Sequence, residues 1–221
     1  RLLLDYFLEA HRARTVVYVL DSFAFYSRAW NEERLTDARL FRRAPFDVAL
    51  ARLLFNSPAG ISVFLNYVTA FSKVNDPDRF EPETRPEEGN RFDRSYRPVA
   101  QLDQERIEYL YPLAIGQGEI ALRAEYLAQL EALIASANAR DIRVVVVRPP
   151  IPARIRGLIP GEDQFDTALR EVTGRAGAEL HDFSQVANDE KFFYDTDHLN
   201  RSGVLNFFDT FLARLMRNRP S

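Results

Sequence analysis

The stretch Phe192 to Gly203 reads FFYDTDHLNRSG and sets Asp195 three residues before His198 on a loop that leads into the last helical segment. A carboxylate that accepts the Nδ1 hydrogen of an imidazole fixes its tautomer and stabilises the imidazolium. The Nε2 atom can then take a proton from a hydroxyl or a water. The same spacing also fits a solvated loop in which Asp195 and Asp197 are turn residues and His198 merely precedes a helix. Further polar residues fall where short apolar runs end: Asp21 and Ser22 after TVVYVL, Arg148 after IRVVVV, and Asp182 and Ser184 around the end of AELHD. Ser22 is a candidate nucleophile at such an end, while Asp21 and Arg148 are candidate substrate contacts. Arg148 has a second reading as an ion pair with Asp182. His181, Asp182, Asp195, Asp197 and His198 include zinc- or manganese-type ligands. Neighbouring strand residues point to opposite faces, so His181 and Asp182 cannot share one ion, and the expectation is no metal.

Those runs imply the elements that position the polar residues. Thr15 to Leu20 and Ile142 to Val147 are continuous apolar, β-branched strands, and Ala178 to Asp182 is a weaker third. Helical spacing precedes the first strand. It returns over Glu119 to Arg140, over Gln164 to Arg175, and in a last helix whose stripe reads Val204, Phe208, Phe211 and Leu215, with Asn200 or Ser202 as its cap. Strands that are apolar throughout and alternate with helices are parallel and covered on both faces. The expected fold class is therefore α/β, a three-layer parallel sheet flanked by helices in a single domain spanning 1–221. Residues 23–141 form a large, mainly helical insertion, and 76–98 within it is a charged, proline-broken loop. Ligands bind at the carboxyl edge of such sheets.

Composition narrows the function classes. The chain has 221 residues, 29 basic and 32 acidic side chains, a net charge of −3 and no cysteine. Thiol catalysis, disulfides and cysteine-zinc sites are thus excluded, and the overall charge gives no bulk attraction for nucleic acid or anionic lipid. No run of about 18 apolar residues reads as a membrane span. Tyr26, Trp30 and Tyr194 lie near the predicted cleft and suit stacking on a sugar ring, although aromatic residues are by default core.

Asp-x-x-His followed by Leu199, Asn200 and Gly203, ahead of an amphipathic C-terminal helix, resembles the last block of the SGNH (GDSL-like) hydrolase superfamily. The order of VVYVLDSFAF, a helical insertion, IRVVVVRPPIP, a helix, AELHDFS and DTDHLN is similar to its membrane-anchored bacterial envelope branch, related to polysaccharide O-acetyl and D-alanyl transfer proteins. The resemblance implies a flavodoxin-like five-stranded sheet with Asp195 as triad acid and His198 as base. It implies a serine nucleophile that is either Ser22 or a residue upstream of Arg1, where a membrane anchor is also expected. It further implies acyl-ester chemistry on a cell-envelope carbohydrate in the bacterial periplasm or at the outer cell surface, with no cofactor. Two alternatives stay open: a non-catalytic carbohydrate-binding or assembly domain of the same fold, and a metal-dependent hydrolase.

Overall fold

The structure, a computed structural model, describes residues 4, 6–8, 11–27, 46–56, 60–69, 92–112 and 121–217. Residues 4 and 6–8 are helical and lead to β1 (Thr15–Val19), followed by one 3₁₀ turn, Ser22–Phe25. Among the described residues, four helices then precede the second strand: α1 (Val48–Phe55), α2 (Gly60–Val68), α3 (Ala100–Leu110) and α4 (Ala124–Asn138). Next come β2 (Arg143–Arg148), the short α5 (Ala153–Arg156), α6 (Glu162–Ala176) and β3 (Glu179–Asp182). The chain closes with α7 (Arg201–Phe207), a wider turn over Phe208–Leu212, and α8 (Ala213–Arg217).

The three strands form one parallel sheet in the order β1-β2-β3, with Val17 opposite Val145 and Val147 opposite His181. The central strand has neighbours on both sides and layers on both faces, which is why it tolerates four consecutive valines. Val144 and Val146 point into a core built with Leu130 and Ile134 of α4 and Phe165, Leu169 and Val172 of α6. Val145 and Val147 point the other way, onto Phe207, Phe211 and Leu215 of the final helical segment. Alternation along one strand therefore divides the molecule into helices, sheet and helix, as parallel strands require. At the entry edge, Arg143 of β2 donates two hydrogen bonds, 2.7 and 2.6 Å long, to Glu179 of β3. Gly177, with φ of 74°, ends α6 in the left-handed conformation that turns the chain into β3.

The expected stripe on the last helix is out of phase. Phe207 is buried, whereas Val204 and Phe208 are half-exposed. The reason is Gly203: a side-chain carbon there would collide with the carbonyl oxygen of Phe192, so the backbone at 203 lies against the preceding loop. The facing side is then set by residues 203, 207 and 211. Of the predicted insertion, the described residues show helices. Most of the 76–98 loop, together with Trp30, lies outside the described residues.

Candidate active site

The loop between β3 and α7 is closed by its own backbone. Phe193 and Leu199 form an antiparallel bridge, the Tyr194 amide donates to the His198 carbonyl over 3.1 Å, and the Asn200 amide donates to that of Phe192 over 2.9 Å. Buried Asn200 locks it. Its side-chain oxygen accepts from the Gly203 amide and caps α7, while its amide nitrogen donates to the carbonyls of Lys191, Phe193 and Arg94. One asparagine thus joins the loop, the helix start and the segment before α3.

Asp195 sits at the tip of this loop. Its Oδ1 accepts from the amides of Asp197 (3.0 Å) and His198 (2.8 Å), and both carboxylate oxygens lie 3.0 Å from His198 Nδ1. The imidazole stacks on the Tyr194 ring, 5.2 Å between centroids and 18° from parallel. Orientation and tautomer of the imidazole are therefore both set, with Nδ1 engaged and Nε2 directed away from the pair. The hydrogen bond that His198 donates to Asp195 pushes the His198 pKa above its usual 6.5, against the opposing effect of burial. Burial alone would raise Asp195, but the hydrogen bonds from His198 and the two amides outweigh it and the carboxyl lies below 3.8. Stability from the charged pair is thus present above about 3.8 and lost as pH rises through the elevated His198 value.

Asp197 is held chiefly by α3, and its Oδ2 also lies 3.4 Å from His198 Nδ1, so its charge adds to that of Asp195 in favouring the imidazolium. Arg106 donates to Asp197 through Nε at 3.0 Å and a terminal nitrogen at 2.8 Å, and Thr196 Oγ1 donates to it at 2.7 Å. Asp195, Asp197 and His198 do place ligand atoms within 4.8 Å of one another. A cation there would have to displace the bidentate guanidinium from Asp197 and the imidazole nitrogen from Asp195. His181 is elsewhere, beside Glu179 and stacked on Phe183, as strand alternation required.

The ends of β1 and β2 meet this loop. Asp21, Ser22, Pro150, Ile151, Thr196 and Asp197 share the lining of a small cavity of about 30 Å³, closed on its other side by Ile107, Leu110, Ile155 and Ile159. Asp21 is pushed up to about 6, first by burial and then by the charge of Asp197, against the pull of His198 and Arg148. Ser22 is buried, and its hydroxyl is 2.6 Å from that of Tyr111. Burial pushes the Tyr111 phenol well above its ordinary range and keeps it protonated. Among the described residues, then, the hydrogen-bond partner of Ser22 is Tyr111 rather than His198.

Arg148 does not open into the cleft. It is almost fully buried, bonds to Glu162 and Asp166 of α6, and lies 3.5 Å from Asp182. The ion-pair reading of this residue fits its position, with Glu162 and Asp166 added as the nearer partners. The Ser184 amide donates to Asp182 over 2.9 Å. Tyr26 is core, donating its hydroxyl to the Gly161 carbonyl.

No family model, curated protein or solved structure matches this chain. Beside Asp195 runs an open groove of about 890 Å³ lined by Arg94, Arg97, Arg106, Tyr96 and Tyr194. Its wall is fastened to the Asp195–His198 loop by the Tyr96 amide, which donates to the Phe193 carbonyl over 2.7 Å. Sequence reasoning paired Asp195 with His198 and gave Asn200 as a cap of the last helix, but missed Arg106, Tyr111 and the bonds of the Asn200 amide to the loop. Helical phase offered one signal, since Arg106 adjoins Asp103 and Ile107 on the buried side of α3.

The raised Asp21 pKa gives a stability prediction. A carboxyl whose folded value lies above its unfolded one favours the fold below 3.8, and that contribution is lost as pH climbs through about 6. Two units correspond to about 3 kcal/mol. Asp21→Asn is expected to raise the melting temperature by roughly 6–12 °C at about pH 7.5 and to change it little near pH 4. Thermal denaturation followed by circular dichroism at the two pH values checks this, and an equal shift at both would contradict the assignment.

Proposed function

We propose that the chain is an ester hydrolase or O-acyltransferase of SGNH type in which His198, oriented by Asp195, is the general base, acting on acyl esters of a carbohydrate. The observation that carries this reading is the His198–Asp195 pair: Nδ1 lies 3.0 Å from both carboxylate oxygens, on a loop closed by its own hydrogen bonds at the carboxyl ends of the parallel strands. In this mechanism Nε2 removes the proton from an attacking hydroxyl or water as its oxygen bonds to the ester carbonyl carbon. The imidazolium, stabilised by Asp195, then returns that proton to the departing alkoxide as the ester C–O bond breaks. A hydroxyl nucleophile yields an acyl intermediate, which water or a second alcohol releases by the same proton route. Ser22 fills this role if its hydroxyl exchanges Tyr111 for His198.

The surroundings support a small acyl group on a larger, polar alcohol. The 30 Å³ cavity beside Asp21 and Ser22, walled by isoleucine and leucine, has room for about two water-sized groups, the size of an acetyl. The neighbouring groove offers tyrosine faces and guanidinium donors, which suit sugar rings and their hydroxyls. We assign the sugar portion to it.

The test is turnover of p-nitrophenyl acetate and an acetylated sugar by the intact protein, with and without a chelator. Chelator-resistant turnover that requires His198 supports the base mechanism. Sugar binding without turnover supports the non-catalytic alternative, and loss on chelation supports the metal-dependent one. The pH profile is a further check. Because His198 must be neutral to accept a proton and its pKa is raised, kcat/KM should climb with pH through an apparent pKa above 6.5. Asp195→Asn should move that limb to lower pH while depressing the plateau.

A further inference from the structure

The Nδ1 atom of His198 has one hydrogen to donate and two carboxylates within reach. Both oxygens of Asp195 lie 3.0 Å away, and Oδ2 of Asp197 lies 3.4 Å away. Which of them accepts that hydrogen sets the tilt of the ring and therefore the direction of Nε2. The two acids are held differently. Asp195 is oriented by its own loop, through the amides of Asp197 and His198. Asp197 is oriented from α3, where Arg106 bonds to both of its oxygens, with Thr196 Oγ1 as a further donor.

The Asp197 side chain is only 15% exposed. A carboxylate so far withdrawn from water needs a cationic or hydrogen-bonding partner, and beside an imidazole it competes for the ring nitrogen. We propose that Arg106 is a positioning residue that clamps Asp197 to α3 and so reserves the Nδ1 hydrogen of His198 for Asp195. The guanidinium fork suits the task, because two parallel N–H bonds fix the plane of a carboxylate as well as its place. With Oδ2 committed to Arg106, Asp197 stays beyond ordinary hydrogen-bond length of Nδ1 and acts on the ring through charge.

The mount is independent of the clamp. On α3, Ile107 and Leu110 enter the main core, and buried Asp103 is bonded by Tyr96 and Arg154. Tyr96 is in turn tied to the loop through the Phe193 carbonyl. Loss of the Arg106 side chain therefore frees Asp197 without releasing the helix. Among the described residues, the charged groups that face the imidazole are Asp195 and Asp197 of its own loop, Arg106 of α3, and Asp21 after β1. The acids favour the imidazolium and Arg106 opposes it, so a freed Asp197 that turns to the ring makes His198 a more strongly protonated, less available base.

The chain has three histidines, so the His198 ring can be followed by NMR in the intact protein and identified by its loss in His198→Asn. The titration needs no turnover. Arg106→Gln should raise the His198 midpoint, and Asp197→Asn should lower it. In the Asp197→Asn background, Arg106→Gln should move the midpoint about half as far or less, because the clamp then has no carboxylate to hold. Arg106→Lys, which keeps the charge but not the fork, should also raise it. A parental midpoint in the lysine variant, or an equal glutamine shift in both backgrounds, would show that Arg106 acts by charge alone and would overturn the positioning role. So would an Arg106→Gln midpoint equal to the parent's. The kinetic consequence alone rests on the ester reading: the rising limb of kcat/KM should follow the same order. A midpoint that moves while the limb stays in place would count against His198 as the base and support the clamp.

Discussion

His198→Ala is expected to lower acetyl-ester turnover by about 10²- to 10⁴-fold and to leave the melting temperature almost unchanged. The activity loss follows from the bonding around the ring. Its Nδ1 is held by Asp195 and its face by Tyr194, so Nε2 is the atom left to move a proton. The small stability effect follows from exposure. The His198 side chain is half-exposed, and the loop is closed by backbone bonds and by Asn200, none of which passes through the imidazole. An exposed ion pair contributes about 1 kcal/mol or less. Steady-state turnover beside thermal melts separates the two. His198→Asn should behave like the alanine variant, since its amide fills the space without being a base. Asn200→Ala should show the opposite balance, because it removes a buried organiser whose partners span three segments, and its activity loss should accompany a fall in melting temperature. If His198→Ala turns over normally, the proposed chemistry is wrong, whatever the fold.

The elements that sequence made legible are those whose signal is local. A strand buried on both faces must be apolar at every position, and VVVV at 144–147 has no other simple explanation, so all three strands are placed within a residue or two. Asp195 and His198 are three residues apart on a loop short enough to close on itself, and their contact needs nothing from elsewhere. The missed contacts join distant segments: Arg106 to Asp197 across 91 positions, and Ser22 to Tyr111 across 89. No periodicity encodes which buried hydroxyl meets which. The final helix differs in phase for another reason. A pattern of apolar residues admits neighbouring stripes, and the choice falls to Gly203, whose missing side chain lets the helix start press on Phe192. One legible signal went unused. Glu162 and Asp166 fall at helical spacing beside the buried stripe of Phe165, Leu169 and Val172 on α6. Acids on an apolar face demand a buried cation, and Arg148, at the end of the central strand, is the residue to supply it.

That buried cation gives the largest expected effect on stability. Arg148→Ala should destabilise the protein by about 3–5 kcal/mol at neutral pH, a fall in melting temperature of roughly 10 °C for a chain of this size. Arg148 is only 1% exposed and stacks its guanidinium over Phe165 while engaging Glu162, Asp166 and Asp182. Burial works against its charge, but these carboxylates more than compensate and hold its pKa above the usual value. Asp166 is already raised, with burial outweighing the pull of Arg148, so the network is near the limit of the negative charge it can carry. Without the guanidinium the carboxylates are left facing one another in a low-dielectric site, with exposed Arg170, 3.9 Å from Asp182, as the remaining cation. The folded pKa values of Asp166 and Asp182 must then stand above the unfolded ones. The variant regains stability below about pH 4, where both states bind the protons, and loses it as pH climbs through the raised values. Its deficit relative to the parent should therefore shrink on acidification. Adding Glu162→Gln and Asp166→Asn to Arg148→Met should recover much of the loss at neutral pH, because what destabilises is the unpaired charge rather than the missing bond. Denaturant melts of the parent, Arg148→Ala and the combined variant at about pH 4 and about pH 7.5 decide the matter. A deficit that is the same at both pH values would assign the loss to packing against Phe165 instead.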